Sequence, residues 1–199
     1  MRWLLLLQAL LLWSCSTTPP RDLNDGCAIF EEKSRWYRSA QDAYLRWGVP
    51  IHVQLAIIHQ ESRFVDDAKT PRRKLLWVIP WTRQSSAYGY AQATDSTWER
   101  YIRATGNSGA DRDDFDDVTD FIGWYVDLSH RKAGIPKSDA YRQYLAYHEG
   151  QAGYLQGTWR KKAWLQRVAH KVEARAARYR TQLARCQEDL DDGWSLWPF

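Results

Sequence analysis

Trp164, Val168, Val172, Ala176, Tyr179 and Leu183 recur every three or four residues, a spacing that lines one face of a helix and scatters over both faces of a strand. The same period returns upstream in shorter blocks, each cut off by glycine and proline. Residues 27–47 carry periodic apolar side chains without an internal breaker, and Gly48-Val49-Pro50 ends them. Pro50 suits the first turn of a second helix over 51–62. Further helices are expected over 95–105, with Asp95 or Ser96 as N-cap, and from Asp116 or Asp117 to Lys132, with Phe121, Tyr125 and Leu128 on one face. Another is expected over 138–147, and Gly150, Gly153 and Gly157 mark a loop after it. The fold class that follows is all-α, with at most a small β element, and 199 residues suffice for one domain with its own core. The one segment unlike its neighbours runs from Asp66 to Gly89. Two prolines, few periodic apolar residues and a Ser-Ser pair mark it as a long loop with a short extended piece at 75–79. Loops of this length inside a compact domain are usually functional.

The second helix ends in LAIIHQESRF, residues 55–64. Helical geometry sets Glu61 one turn beyond Ile57 and Ile58, with Phe64 following at i+3. Removing water from a carboxylate is costly unless it stays protonated or finds a partner. Glu61 is therefore either a frayed helix end in solvent or a carboxyl held in a dry pocket to keep a proton.

The first fourteen residues stand apart. Arg2 supplies a positive start, and the apolar run from Leu4 to Trp13 is broken only by Gln8. A bilayer needs about 20 apolar residues, so the run is too short to span one and suits a signal peptide. It ends in LWSC, a small residue followed by Cys15, which resembles the lipobox of bacterial lipoproteins. The resemblance implies a lipid on Cys15 and attachment to a membrane. Ser16 is not the Asp associated with inner-membrane retention, so an outer-membrane position facing the periplasm is expected. The expected organisation is a signal peptide (1–14), a lipidated N-terminus and flexible tether (15–26), one folded domain (27–190) and an aromatic tail (191–199). Cys27 and Cys186 bracket the folded part. In an exported, oxidising setting they are either a disulfide joining the chain ends or two separate thiols.

Charge and ligand types exclude several chemistries. Net charge is only +4, but residues 158–187 hold nine Lys or Arg against one Glu, and 111–120 hold six Asp against Arg112. The first run reads as a solvated face, or one that lies along an anionic polymer or membrane. His148-Glu149 begins like a zinc-protease helix, but the residue four after His148 is Ala152. The Asp run lacks the oxygens and glycine of a calcium loop, since its fifth position is Phe115. No phosphate loop or Ser/Cys nucleophile elbow is present in the sequence. No metal, no cofactor and no nucleic acid partner is expected.

Three short pieces then stand in order: QESRF (60–64), GYAQATDSTW (89–98) and AYHEG (146–150). Together they resemble the lytic transglycosylases of the soluble-lytic-transglycosylase type, relatives of goose-type lysozyme, over residues 47–183. The resemblance implies a lysozyme-like single helical domain acting on peptidoglycan glycan strands at the β-1,4 bond between N-acetylmuramic acid and N-acetylglucosamine. It implies Glu61 as the one catalytic carboxyl, first acid and then base, with a 1,6-anhydro product. Ser62 would hold Glu61 or touch substrate, or else cap the helix. Gly89 would permit a close turn, the Gln92 amide would face the saccharide, and the Tyr147 hydroxyl would hydrogen-bond the catalytic carboxyl.

The sequence also departs from that family. Tyr90 and Ala91 replace the usual Leu and Met, which should reshape one groove wall. His148 stands where Asn is usual and Glu149 where Ala is usual, so Glu149 is a candidate second carboxylate. Trp77 and Trp81, in a loop longer than the usual one, would stack on sugar, form a lid, or simply pack the loop. Two rivals follow: a true muramidase, which hydrolyses the same bond with two carboxylates, and a non-catalytic wall-binding lipoprotein.

Overall fold

Helix α3 (Ile51–Ser62) has no polar side: Val53, Leu55, Ala56, Ile57 and Ile58 are fully buried, and Gln54 and His59 are buried with them. A helix apolar all round belongs in the middle of a bundle. The computed structural model describes residues 18–69, 72–75, 79–83 and 85–192, the strand residues 72–75 and 79–83 by backbone alone. Its other helices build the rest of the bundle. They are α1 (Gly26–Glu32), α2 (Ser34–Trp47), α4 (Asp95–Thr105), α5 (Phe115–Ala133), α6 (Ala140–Gln156) and α7 (Ala163–Asp192), with a 3₁₀ turn (Thr158–Lys161) before α7. α7 packs along α3, α6 and α1, while α5 packs along α2 and α6. The expected all-helical class holds, with one small hairpin of β1 (Arg72–Leu75) and β2 (Ile79–Arg83). Its antiparallel register pairs Arg72 with Arg83 and Leu75 with Ile79.

The 27–47 segment is two helices rather than one. Lys33 leaves helical geometry (φ −122°, ψ 63°), so that α1 turns to α7 while α2 turns to α5. Polar caps also fall elsewhere than expected. Asp114, not Asp116 or Asp117, caps α5 by accepting from both of their backbone N–H groups. Thr94 occupies the N-cap of α4, while Asp95 pairs with Arg112 at 2.8 Å. The acidic run therefore works within the fold. Asp120 alone accepts hydrogen bonds from Trp47 Nε1 (2.7 Å), Arg46 and Tyr101. Close approach of α2 to α5 requires Gly123, whose added Cβ would lie 2.4 Å from the Trp47 ring.

α3 and α7 are locked by His59, whose Nδ1 lies 2.8 Å from the Tyr179 hydroxyl, which itself donates to the Leu23 carbonyl. Burial lowers the His59 pKa to about 4, so the ring is neutral at physiological pH. The same contact corrects the expected tether. Its last part is held in place, because Leu23 is pinned by Tyr179 and the Asn24 carbonyl accepts from Gln182 Nε2. Likewise α7 continues to Asp192, and Asp191 accepts from the Tyr37 hydroxyl at 2.6 Å. Residues 1–14, read from the sequence as a signal peptide, and Cys15 lie outside the described residues, as do 193–199.

Cys27 on α1 and Cys186 on α7 are joined by a disulfide across 159 residues. Closing a loop of that size restricts the unfolded chain, and removing such bonds typically costs about 2–5 kcal/mol. Reduction, or the Cys27→Ser variant, is expected to lower the urea midpoint by a corresponding amount. Midpoints that coincide in oxidised and reduced protein would show that the bond contributes nothing to stability.

Candidate active site

α3 stops abruptly after the Glu61-Ser62 pair. Arg63 (φ 55°) and Phe64 (φ 61°) both take left-handed backbone, which costs a residue other than glycine about 1–2 kcal/mol each. Phe64 offsets that cost: it is fully buried and stacked 5.8 Å from the Trp36 ring. The turn thus ends the helix with Glu61 facing a groove of about 500 Å³. Gln92, Thr94 and Thr97 line one part of that groove, and Phe121, Tyr125 and Tyr147 another.

Glu61 is half-buried as a residue and lines the groove, and protein packs closely enough about its carboxyl that desolvation pushes the pKa up to about 7. Tyr144 opposes this shift from hydrogen-bonding reach. The Tyr144 and Tyr147 hydroxyls themselves stay neutral, because burial and the adjacent carboxyl raise both far above the usual phenol range. Glu61 is consequently a carboxyl that both keeps and gives up its proton near neutrality.

The opposite rim is built on Gly89. Its backbone (φ 75°) passes so near α5's approach that a Cβ would sit 1.9 Å from the Arg112 carbonyl oxygen. The next N–H, from Tyr90, donates to that carbonyl at 3.1 Å. Gln92, also left-handed (φ 48°), donates from Nε2 to the Ala68 and Gly89 carbonyls at 2.8 and 2.9 Å. Two carbonyl acceptors fix the amide orientation, so Oε1 is the atom that remains to accept from a ligand.

Beyond Gly89 and Gln92, comparison with known proteins adds one decisive match: a family model described as transglycosylase SLT domain covers residues 3–186. The chain belongs to that family. No curated protein and no solved structure matches it. Family membership places it among lytic transglycosylases in general, with peptidoglycan as the substrate class.

Within this transglycosylase SLT domain, Glu61, Gln92, Tyr147, His148 and Glu149 do converge on one groove. Three expectations need correction. The Tyr147 hydroxyl donates to the Ala91 carbonyl at 2.6 Å, and Tyr144 takes the place beside Glu61 expected of it. Tyr144 is one helical turn before Tyr147 on α6, so the i,i+3 pair in YLAY was the available signal. Ser62 is buried and its hydroxyl donates back to the Ile58 carbonyl at 3.3 Å, away from substrate. Tyr90 is fully buried against Trp36 and Phe115, so it fills the core behind the groove instead of shaping its wall. Trp77 lies outside the described residues, and for Trp81 only the β2 backbone is described.

His148 and Glu149 form a unit of their own. Glu149 accepts from Lys162 Nζ at 2.7 Å and from the Thr158 hydroxyl, and its Oε1 lies 3.0 Å from His148 Nδ1. Despite burial, these partners hold the Glu149 carboxyl down at about 2. An ionised carboxylate only accepts, so the Nδ1–H of His148 is the donor in that contact. The imidazole also stands edge-on to Trp164, with ring centroids 5.1 Å apart. The SLT segment then breaks at Gly150 (φ 71°, ψ 160°), so α6 bends directly after the pair, where a loop was expected.

Proposed function

We propose that the protein is a peptidoglycan lytic transglycosylase that cleaves the β-1,4 bond between N-acetylmuramic acid and N-acetylglucosamine. The observation that carries this reading is the Glu61 carboxyl, desolvated to a pKa of about 7 at the floor of an open groove. Protonated Glu61 gives its proton to the glycosidic oxygen as the bond to the muramoyl anomeric carbon breaks, and the leaving sugar departs with a 4-hydroxyl. The emptied carboxylate takes the proton of the muramoyl 6-hydroxyl, whose oxygen bonds to the anomeric carbon and closes the 1,6-anhydro ring. Glu61 ends protonated, ready for another turn, and no water is consumed.

A single carboxyl suits this chemistry because the substrate brings its own nucleophile, whereas ordinary glycosidases use two. Among the described residues lining the groove the carboxylates are Glu61 and Glu149. Glu149 is a poor second catalyst, since Lys162 and Thr158 already occupy its oxygens. Digestion of purified peptidoglycan followed by mass spectrometry is expected to yield muropeptides with anhydro-muramoyl ends. Predominantly reducing ends would instead support a muramidase, and wall binding without turnover would support the scaffold reading. The rate is expected to fall as pH rises through about 7, because the acid form of Glu61 is then lost. A flat profile from pH 6 to 9 would contradict that role.

Lipid attachment at Cys15, with an outer-membrane position facing the periplasm, completes the proposal on sequence grounds, from the apolar run that ends in LWSC. Fractionation of Cys15→Ser is expected to move the protein from the membrane to the soluble fraction.

A further inference from the structure

A second hollow of about 380 Å³ adjoins the Glu61 groove and shares Thr97, Tyr125 and Gly150 with it. The bend at Gly150 opens this wall, since nothing lies within 4 Å of where a Cβ would be. Arg100 and Lys132 are the charged residues of the hollow, and both are exposed. Arg100 is set on an aromatic platform, its guanidinium 5.5 Å from the Trp124 ring centre and 5.9 Å from that of Tyr125. No described carboxylate forms a salt bridge with either cation, although the neighbouring Arg103 pairs with Glu99 and Arg131 with Asp127. A guanidinium set beside two rings, within hydrogen-bonding reach of the Tyr125 hydroxyl and paired with no described carboxylate, keeps N–H groups for an incoming one.

We propose that this hollow receives a carboxylate of the peptide stem carried by a muramoyl residue seated in the adjoining groove. The inference rests on the peptidoglycan reading above. A glycan strand in the Glu61 groove puts its lactyl substituents on one side, and the shared Tyr125–Gly150 wall is the passage by which a stem leaves the groove. Recognition there favours stem-bearing strands over stripped ones, and Arg100 acts as a specificity residue with Lys132 as its electrostatic support.

Binding to the Glu61→Gln protein reads this without turnover. The probes are a tetrasaccharide of alternating N-acetylglucosamine and N-acetylmuramic acid bearing tetrapeptide stems, and the same tetrasaccharide with bare lactyl carboxylates, each titrated calorimetrically. The stem-bearing ligand is expected to bind about tenfold more tightly, and adding Arg100→Gln should remove that difference while leaving the stripped ligand within about twofold. Lys132→Gln should remove part of it. Equal affinity for the two ligands would overturn the proposal, as would an equal loss for both on Arg100→Gln, which would point to the lactyl carboxylate or the platform itself. Failure to bind either ligand would overturn the peptidoglycan reading together with this one.

Discussion

Glu61→Gln is expected to abolish wall cleavage and at the same time to stabilise the protein at neutral and alkaline pH. Loss of activity should exceed about a thousandfold, because the substitution removes both the proton given to the leaving oxygen and the base that activates the 6-hydroxyl. The gain in stability follows from the same pKa. The folded carboxyl titrates at about 7 against an ordinary 4.5, so the folded state binds its proton more tightly than the unfolded chain. Stability is therefore lost as pH rises from 4.5 to 7, and above 7 the full cost applies. That cost reaches about 3 kcal/mol, and an uncharged amide escapes most of it. Thermal melts of wild type and Glu61→Gln should diverge above pH 7 and converge near pH 4.5. A variant equally stable at all pH values would mean that Glu61 is well solvated.

Gly89→Ala should be among the most damaging small substitutions in the chain. A left-handed alanine costs about 1–2 kcal/mol, and here the methyl would also meet the Arg112 carbonyl oxygen at 1.9 Å, a distance only backbone movement can relieve. That movement would disrupt the Tyr90 N–H bond to Arg112 and the Gln92 bond to Gly89, and with them the groove rim. The combined loss is about 4 kcal/mol or more, which in a domain of this size lowers the melting temperature by about 10 °C. Gly106 supplies the control. It has the same left-handed backbone (φ 76°) with nothing within 4 Å of its missing Cβ, so Gly106→Ala should show the backbone cost alone. Equal losses in the two variants would contradict the close approach at Gly89.

Periodicity and breakers were enough to locate the helical bundle and the helix that carries Glu61, because burial on one face leaves its mark residue by residue. The division at Lys33 left no such mark. It arises because α1 and α2 have different partners, α7 and α5, and no local propensity records which distant helix a segment will meet. The site residues divide in the same way. Glu61, Gly89 and Gln92 belong to short motifs whose spacing carries their geometry. Tyr144 and Ser62 depend on which way a side chain turns once α6 and α3 are packed, and Tyr147's preference for the Ala91 carbonyl depends on a contact 56 residues away. Tyr90 is misjudged for a related reason. A tyrosine in a turn motif reads as surface, whereas Trp36 and Phe115 provide an aromatic core large enough to take it. Glu149 could be noticed as an intruder in AYHEG, but its capture by Lys162 and Thr158 needed the bend at Gly150 and the 3₁₀ turn that follows.

The central claim is that Glu61 holds a proton at neutral pH because its surroundings exclude water. Carbon NMR of side-chain carboxyl groups, with the Glu61 signal assigned by its absence from Glu61→Gln, measures this directly. The expected midpoint is near 7, matching the loss of activity on the alkaline side, whereas a midpoint near 4.5 would contradict the account.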